Sequence, residues 1–350
     1  MKRFGLVALM AIASGMAYSA TSFTFVRQIE YLPHPIVGNL RSFVADTTGG
    51  LYICDSGTDD ELLYCQNALV SDGSTDNFAN TVTISPANPD AGGFGSNESW
   101  TGISFDGAST YYASGHTAAG TIVAKVTGYN PWTFALVTGV TGINSGCTAV
   151  SANTIVMANY NTGALQFYTV SGTVASALGS PIANPSPGVY KSNSVLYYDA
   201  PSGSDKIFVS MVADNFTRRV DVFNTNGTPG GTTYVGTFAN PVAGSVSAST
   251  QNLRGSMNIQ PTLKILAVPV NNGTDNGWDI FDIAAVGTGE APVATIRAST
   301  ISGASLTFSA SASGFFTKAG TDYFAAGANN DIYVYSVTHT SSVDDWQLFN

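Results

Sequence analysis

Apolar residues along this chain fall into short runs bounded by Gly, Ser, Thr, Asn and Asp, and the runs come in pairs. Leu51–Asp55 (LYICD) is followed by Glu61–Cys65 (ELLYC), and Tyr111–Gly115 (YYASG) by Thr121–Val126 (TIVAKV). Ile155–Asn159 (IVMAN) precedes Ala164–Val170 (ALQFYTV), and Ile207–Met211 (IFVSM) precedes Arg219–Asn224 (RVDVFN). The last two pairs are Ile265–Pro269 (ILAVP) with Trp278–Ile283 (WDIFDI), and Tyr323–Gly327 (YFAAG) with Asp331–Val337 (DIYVYSV). Their first members start at 51, 111, 155, 207, 265 and 323, so the unit repeats after 60, 44, 52, 58 and 58 residues. A further short apolar run stands before several of the pairs, at Ser42–Ala45, Gly102–Phe105, Thr148–Val150 and Ser194–Tyr197. Runs of this length, rich in β-branched and aromatic residues and separated by turn formers, read as strands.

A repeat of this size with three or four strands per unit is the spacing of a propeller blade. The expected fold is therefore all-β, a single propeller with six blades. A seventh blade would have to lie within residues 66–99, which read as a long loop. A pair of sandwiches also shows short strands and frequent turns, but six similar units favour the ring. Asn39-Leu40-Arg41-Ser42 ahead of the first unit is echoed by Asn252-Leu253-Arg254-Gly255 ahead of the fifth, which supports true repetition. Beyond Tyr323 the chain has too few residues for a further blade. Phe23–Ile29 (FTFVRQI) is placed to add an outer strand to the last blade, closing the ring and removing its open edge. The repeated strand, polar turn and strand resemble six-bladed propellers of the NHL-repeat and gluconolactonase-like type. That resemblance implies a divalent cation on the axis, held by Glu, Asn and Asp from different blades, in a lactonase or esterase-like hydrolase.

Composition narrows the compartment. Lys2 and Arg3 precede an apolar stretch, Phe4–Ile12 (FGLVALMAI), and Ala17-Tyr18-Ser19 sets small residues at −3 and −1 of a cleavage before Ala20. This is the pattern of a secretory signal peptide over 1–19, leaving 20–350 as the propeller domain. The apolar stretch is far short of the roughly 20 residues a membrane span requires. Export places the protein in the periplasm, at the cell surface or in the medium, where cysteines can pair. Cys54 and Cys65, on two runs joined by a short polar loop, are expected to face each other as a disulfide, leaving Cys147 alone. Charged residues make up only 10% of the chain, and the formal net charge is −10; removing Lys2 and Arg3 takes it to −12. A chain so poor in Lys and Arg lacks the footprint of a nucleic-acid binder.

Candidate chemistry is sparse. No G-x-S-x-G, H-E-x-x-H or P-loop pattern occurs, and His34, His116 and His339 share no metal-ligand spacing. The loops that lead into the inner strands converge on the axis. They carry Asn39 and Arg41, Ser99 and Trp100, Asn144 and Ser145, Lys191 and Asn193, Asn252 and Arg254, and Ser311 and Ser313. Two arginines and a lysine stand where the resemblance implies acidic metal ligands, so the chain departs from that pattern. Asn39, Arg41, Trp100, Asn144, Lys191, Asn252 and Arg254 are instead candidates for holding a ligand, with the guanidinium groups suited to an anionic one. Asp55, Asp59, Asp60 and Glu61 concentrate carboxylates in one turn, where they could hold calcium. Trp100, Trp132, Trp278 and Trp346 are candidate sugar anchors. These features favour a non-catalytic extracellular binding module for a protein or glycan. The alternatives are the metal-dependent hydrolase and a self-assembling subunit of a surface layer or filament.

Overall fold

A computed structural model describes residues 20–30, 39–56, 61–69, 82–83, 99–117, 120–129, 132–185, 190–200, 203–213, 218–239, 256–270, 276–283, 292–300, 310–328 and 331–340. The expected signal peptide lies outside these residues, as do Asp59, Asp60, Asn252, Arg254 and Trp346. Among the described residues no helix is long and apolar enough to cross a membrane.

The chain forms six four-stranded antiparallel blades. Strand β1 (Ala20–Glu30) is followed by blade 1: β2 (Asn39–Ala45), β3 (Leu51–Ser56), β4 (Glu61–Cys65) and β5 (Val82–Thr83). Blade 2 holds β6 (Ser99–Phe105), β7 (Tyr111–Thr117), β8 (Gly120–Tyr129) and β9 (Trp132–Leu136). Blade 3 holds β10 (Asn144–Ser151), β11 (Thr154–Asn159), β12 (Leu165–Ser171) and β13 (Val174–Ile182). Blade 4 holds β14 (Tyr190–Tyr198), β15 (Lys206–Ala213), β16 (Arg218–Asn224) and β17 (Thr233–Ala239). Blade 5 holds β18 (Asn258–Gln260), β19 (Ile265–Val270), β20 (Gly277–Asp282) and β21 (Ala294–Arg297). Blade 6 is built from β22 (Ala310–Lys318), β23 (Thr321–Ala328) and β24 (Asp331–Thr340), with β1 as its outer strand.

The ring therefore closes as expected, with β1 running antiparallel to β24 from Ala20↔Thr340 to Glu30↔Asp331. Within 66–99, where a seventh blade would have had to lie, Val82–Thr83 pairs with Glu61 and Leu62 as the outer strand of blade 1, and residues 70–81 and 84–98 lie outside the described residues.

Each blade buries both faces, which explains why its middle strands are apolar without strict alternation. All of Ile265–Val270 is buried, whereas the outer strand Val174–Ile182 is largely exposed. The core of the described residues is accordingly six clusters, one in each seam between neighbouring blades. The seam that closes the ring is tight. Phe43 of β2 is fully buried against blade 6. A Cβ on Gly314 or Gly327 would come within 2.9 and 2.7 Å of its side chain.

The inner strand of every blade has one edge that pairs with no strand among the described residues, and these edges face the axis. Side chains of the preceding blade satisfy many of them. Ser42 Oγ accepts from the Ile103 amide of blade 2 at 3.2 Å. Ser104 Oγ accepts from Ala149 of blade 3 at 3.0 Å, and Thr148 Oγ1 from Tyr197 of blade 4 at 3.1 Å. Ser104 and Thr148 hold the same register position in their blades, each one residue before the partner of the first residue of the next strand's apolar run. Asn258 of blade 5 bridges further, accepting from Phe315 at 3.2 Å and donating to the Phe43 carbonyl at 3.2 Å. A buried amide left without an acceptor costs about 1–3 kcal/mol, so these hydroxyls stabilise the ring more than their number suggests.

Thr148→Val keeps the side-chain shape and strands the Tyr197 amide. It should lower the unfolding free energy by about 1–3 kcal/mol in chemical denaturation. The same change at the exposed Thr169 should move it by no more than about 0.5 kcal/mol. Equal effects at the two positions would show that the hydroxyl ladder contributes nothing.

Candidate functional site

The inner strands all run the same way along the axis, so the propeller has an upstream end, where they begin, and a downstream end, where they turn back. Of the residues expected to bind ligand, Asn39, Arg41, Trp100, Asn144 and Lys191 are described, and they lie at the upstream end. There the inner strands carry bulges in five blades: at Arg41, at Thr101, between Asn144 and Cys147, at Asn193 and at Ser311. A bulge bends the strand and re-aims its side chains. Arg41 is buried at its bulge. Asn144 is buried too, and its amide donates to Thr121 Oγ1 and the Thr141 carbonyl, both at 3.0 Å, tying blade 3 to blade 2. Asn39, Trp100 and Lys191 occupy strand positions opposite Ser56, Gly115 and Val212. Asp55 and Glu61 sit in β3 and β4. Among the described residues no group of three or more His, Cys, Asp or Glu comes together to hold a metal.

The expected disulfide does not form, and the strand register gives the reason. Cys54 lies opposite Leu62, and Cys65 opposite Leu51. Since successive side chains alternate between faces, Cys54 enters the seam with blade 2 and Cys65 the seam with blade 6. All three cysteines are unbridged and buried. Burial pushes the Cys65 and Cys147 thiols up to about 12, so neither supplies a thiolate near neutral pH. Trp278 is likewise no surface anchor: it is fully buried in the seam between blades 5 and 6, edge-on to Phe324.

A concave feature of the described residues lies at the downstream end, which the sequence reading did not single out. A cavity of about 470 Å³ opens on the axis, lined by residues from all six blades. Its walls are largely apolar, with Ile103, Phe105, Leu196, Ile259 and Phe315 among them. Among the described residues that line it, Asp106 and Asp199 are the charged ones, and each directly follows an aromatic lining residue, Phe105 and Tyr198. Below it a narrow space of about 20 Å³ is lined by Ser42, Gly102, Gly146, Ser194 and Ser256. That is room for one water-sized group. Small residues at these positions let the inner strands approach the axis closely.

The downstream turns are built by carboxylates. Asp106 Oδ1 accepts from the amides of Ala108, Ser109 and Thr110 at 2.8, 2.9 and 3.0 Å. Burial raises its pKa, but these hydrogen bonds outweigh burial and hold it below the usual carboxylate value, so Asp106 is ionised at neutral pH. Asp46 repeats the device in blade 1, accepting from Thr48 and Gly50 at 2.7 and 2.9 Å and from the Tyr64 hydroxyl. In blade 4, Asp205 accepts from the Tyr197 hydroxyl at 2.8 Å and the Ala200 amide at 3.0 Å. A short Asp-anchored turn after an inner strand is visible in the sequence, in Asp46-Thr47-Thr48-Gly49-Gly50 and Asp106-Gly107-Ala108-Ser109-Thr110.

No protein-family model matches the chain, and no curated protein matches it by sequence. Solved structures do share its shape. One is a structural-genomics protein of unknown function from Bacteroides thetaiotaomicron, at 12% identity and TM-score 0.51, over 92% of this chain and 77% of that one. The WD40 repeats of RRP9 align at 8% identity and TM-score 0.52, over 91% of this chain and all of theirs. U3-55K aligns at 8% identity and TM-score 0.51, over 90% of this chain and all of its own. At such identities the likeness is one of fold: the chain is a β-propeller.

With no bridge among Cys54, Cys65 and Cys147, a thiol reagent should label none of them in the native protein and all three after denaturation without reductant. Fewer than three equivalents in the denatured protein would restore a disulfide.

Proposed function

We propose that this chain is an exported, non-catalytic binding propeller that holds part of a protein or glycan ligand in the downstream axial cavity. The cavity carries the reading. It falls in the range of roughly 300–1,000 Å³ typical of ligand pockets, and it draws walls from every blade, so the closed ring holds its shape. Its chemistry favours holding over reacting. The described residues of the lining include no cysteine or histidine, and the Ser104 and Thr148 hydroxyls already accept from backbone amides. Two carboxylates two blades apart supply acceptors for hydroxyl or amide donors of a ligand.

The test is a glycan and peptide array probed with the purified protein and with Leu196→Trp, which fills the cavity where it narrows. The account expects at least one class of hits that Leu196→Trp abolishes while the melting temperature moves by only a few degrees, and that chelator leaves unchanged. Hits that are insensitive to Leu196→Trp would place binding elsewhere on the ring. Hits lost on adding chelator would favour the metal-dependent alternative.

A further inference from the structure

The hydroxyl side chains that bridge blades at the axis recur in register, and one position breaks the pattern. Ser42 pairs with Cys54 and Ser194 with Ser210, each opposite the fourth residue of the middle strand's apolar run and each just past the bulge of its own strand. Ser42 Oγ accepts from the Ile103 amide of the next blade at 3.2 Å. Ser194 Oγ, its counterpart in blade 4, has no hydrogen-bond partner among the described residues. Blade 5 gives the reason. Its inner strand β18 has three residues and pairs only from Asn258, whereas the inner strands of the other blades have seven to nine. Ser256, ahead of β18, gives its carbonyl to Ser313 Oγ of blade 6 at 3.0 Å, while its own hydroxyl is also unpartnered among the described residues. Ser194 and Ser256 are only 5% and 4% exposed, and buried hydroxyls are normally matched.

Both serines line the same narrow space on the axis, of about 20 Å³, which is room for one water molecule. Ser42 lines it as well, and after accepting from Ile103 its hydroxyl still has a proton to donate. Among the described lining residues none carries a charge. Cys147 is the ionisable one, and burial pushes its thiol up to about 12. A cation entering this space would lose its hydration with no counter-charge to replace it, a cost that neutral hydroxyls do not offset. A water has no such cost. It needs two to four polar partners, and three hydroxyls border the space.

We propose that the axial space is a binding site for one buried water, held by Ser194, Ser256 and Ser42 as a constituent of the ring. It supplies between blades 4 and 5 the rung that hydroxyl side chains supply directly between blades 1 and 2, 2 and 3, and 3 and 4. The site belongs to the fold and does not depend on what occupies the wider cavity above it.

Oxygen-17 relaxation dispersion counts waters that stay bound longer than the protein takes to tumble, and it is blind to exchange of hydroxyl protons. The protein carrying both Ser194→Ala and Ser256→Ala should hold one long-lived water fewer than the wild type. Each single change should lower the melting temperature by roughly 1–4 °C, because it removes a partner of the water. Melting temperatures that stay put or rise would overturn the proposal, since deleting a hydroxyl that nothing engages relieves a cost. An unchanged count of long-lived waters would overturn it as well. A wild-type melting temperature that differs between equal concentrations of sodium, potassium and choline chloride would replace the water with a monovalent cation. The wild-type protein provides a test without substitution: a high-resolution crystal structure should show one density peak on the axis within hydrogen-bond distance of Ser194 Oγ and Ser256 Oγ. An axis without that peak would contradict the assignment.

Discussion

Six strand edges that no neighbouring strand can pair are brought together on one axis, and satisfying them is the constraint on which this ring depends. Water would serve those amides on an open sheet. Here hydroxyl and amide side chains from the preceding blade take its place. Ser42, Ser104, Thr148 and Asn258 each reach across a seam to a backbone amide. This gives the unusual composition a physical role. A chain with few charged residues and many Ser, Thr and Asn has side chains short enough to fit at the axis and polar enough to complete the hydrogen bonding there.

The same arrangement shapes the candidate site. At the floor the inner strands carry glycine and serine and nearly close the axis. Farther along, Ile103, Leu196, Ile259 and Phe315 hold the blades apart and the cavity opens. In blades 2 and 4 the inner strands end in aromatic–aspartate pairs, which place two carboxylates in the lining of a largely apolar cavity. At the upstream end, among the described residues, Arg41 is buried at a bulge and Asn144 ties blade 3 to blade 2. The downstream end presents a shaped recess with two carboxylates in its lining.

Much of the fold was legible because each blade buries both faces, which writes its middle strands as near-continuous apolar runs that recur at the blade period. The closing strand was legible for a related reason: Phe23–Ile29 is a strand-like run with no blade of its own. Val82–Thr83 was not, since two residues in a Ser-, Thr- and Asn-rich stretch carry no periodicity. The disulfide expectation failed because sequence distance does not report register: Cys54 and Cys65 lie on adjacent strands but point into different seams. The downstream cavity was not legible in the sequence. Arg41 and Asn144 drew notice as functional side chains, whereas Asp106 and Asp199 sat in Asp-anchored turns that look like ordinary punctuation. Only the three-dimensional convergence of blades 2 and 4 distinguishes them.

The central claim is that side chains of one blade seal the inner edge of the next, and native-state hydrogen exchange at the axis tests it most directly. In the wild-type protein the amides of Ile103, Ala149, Tyr197 and Phe315 should exchange only with global unfolding, as slowly as the middle-strand amides. In Thr148→Val the Tyr197 amide should lose that protection while Ile103 and Phe315 keep theirs. Rapid exchange of all four amides in the wild-type protein would contradict the account, because it would mean that water, and not the neighbouring blade, completes the inner edges.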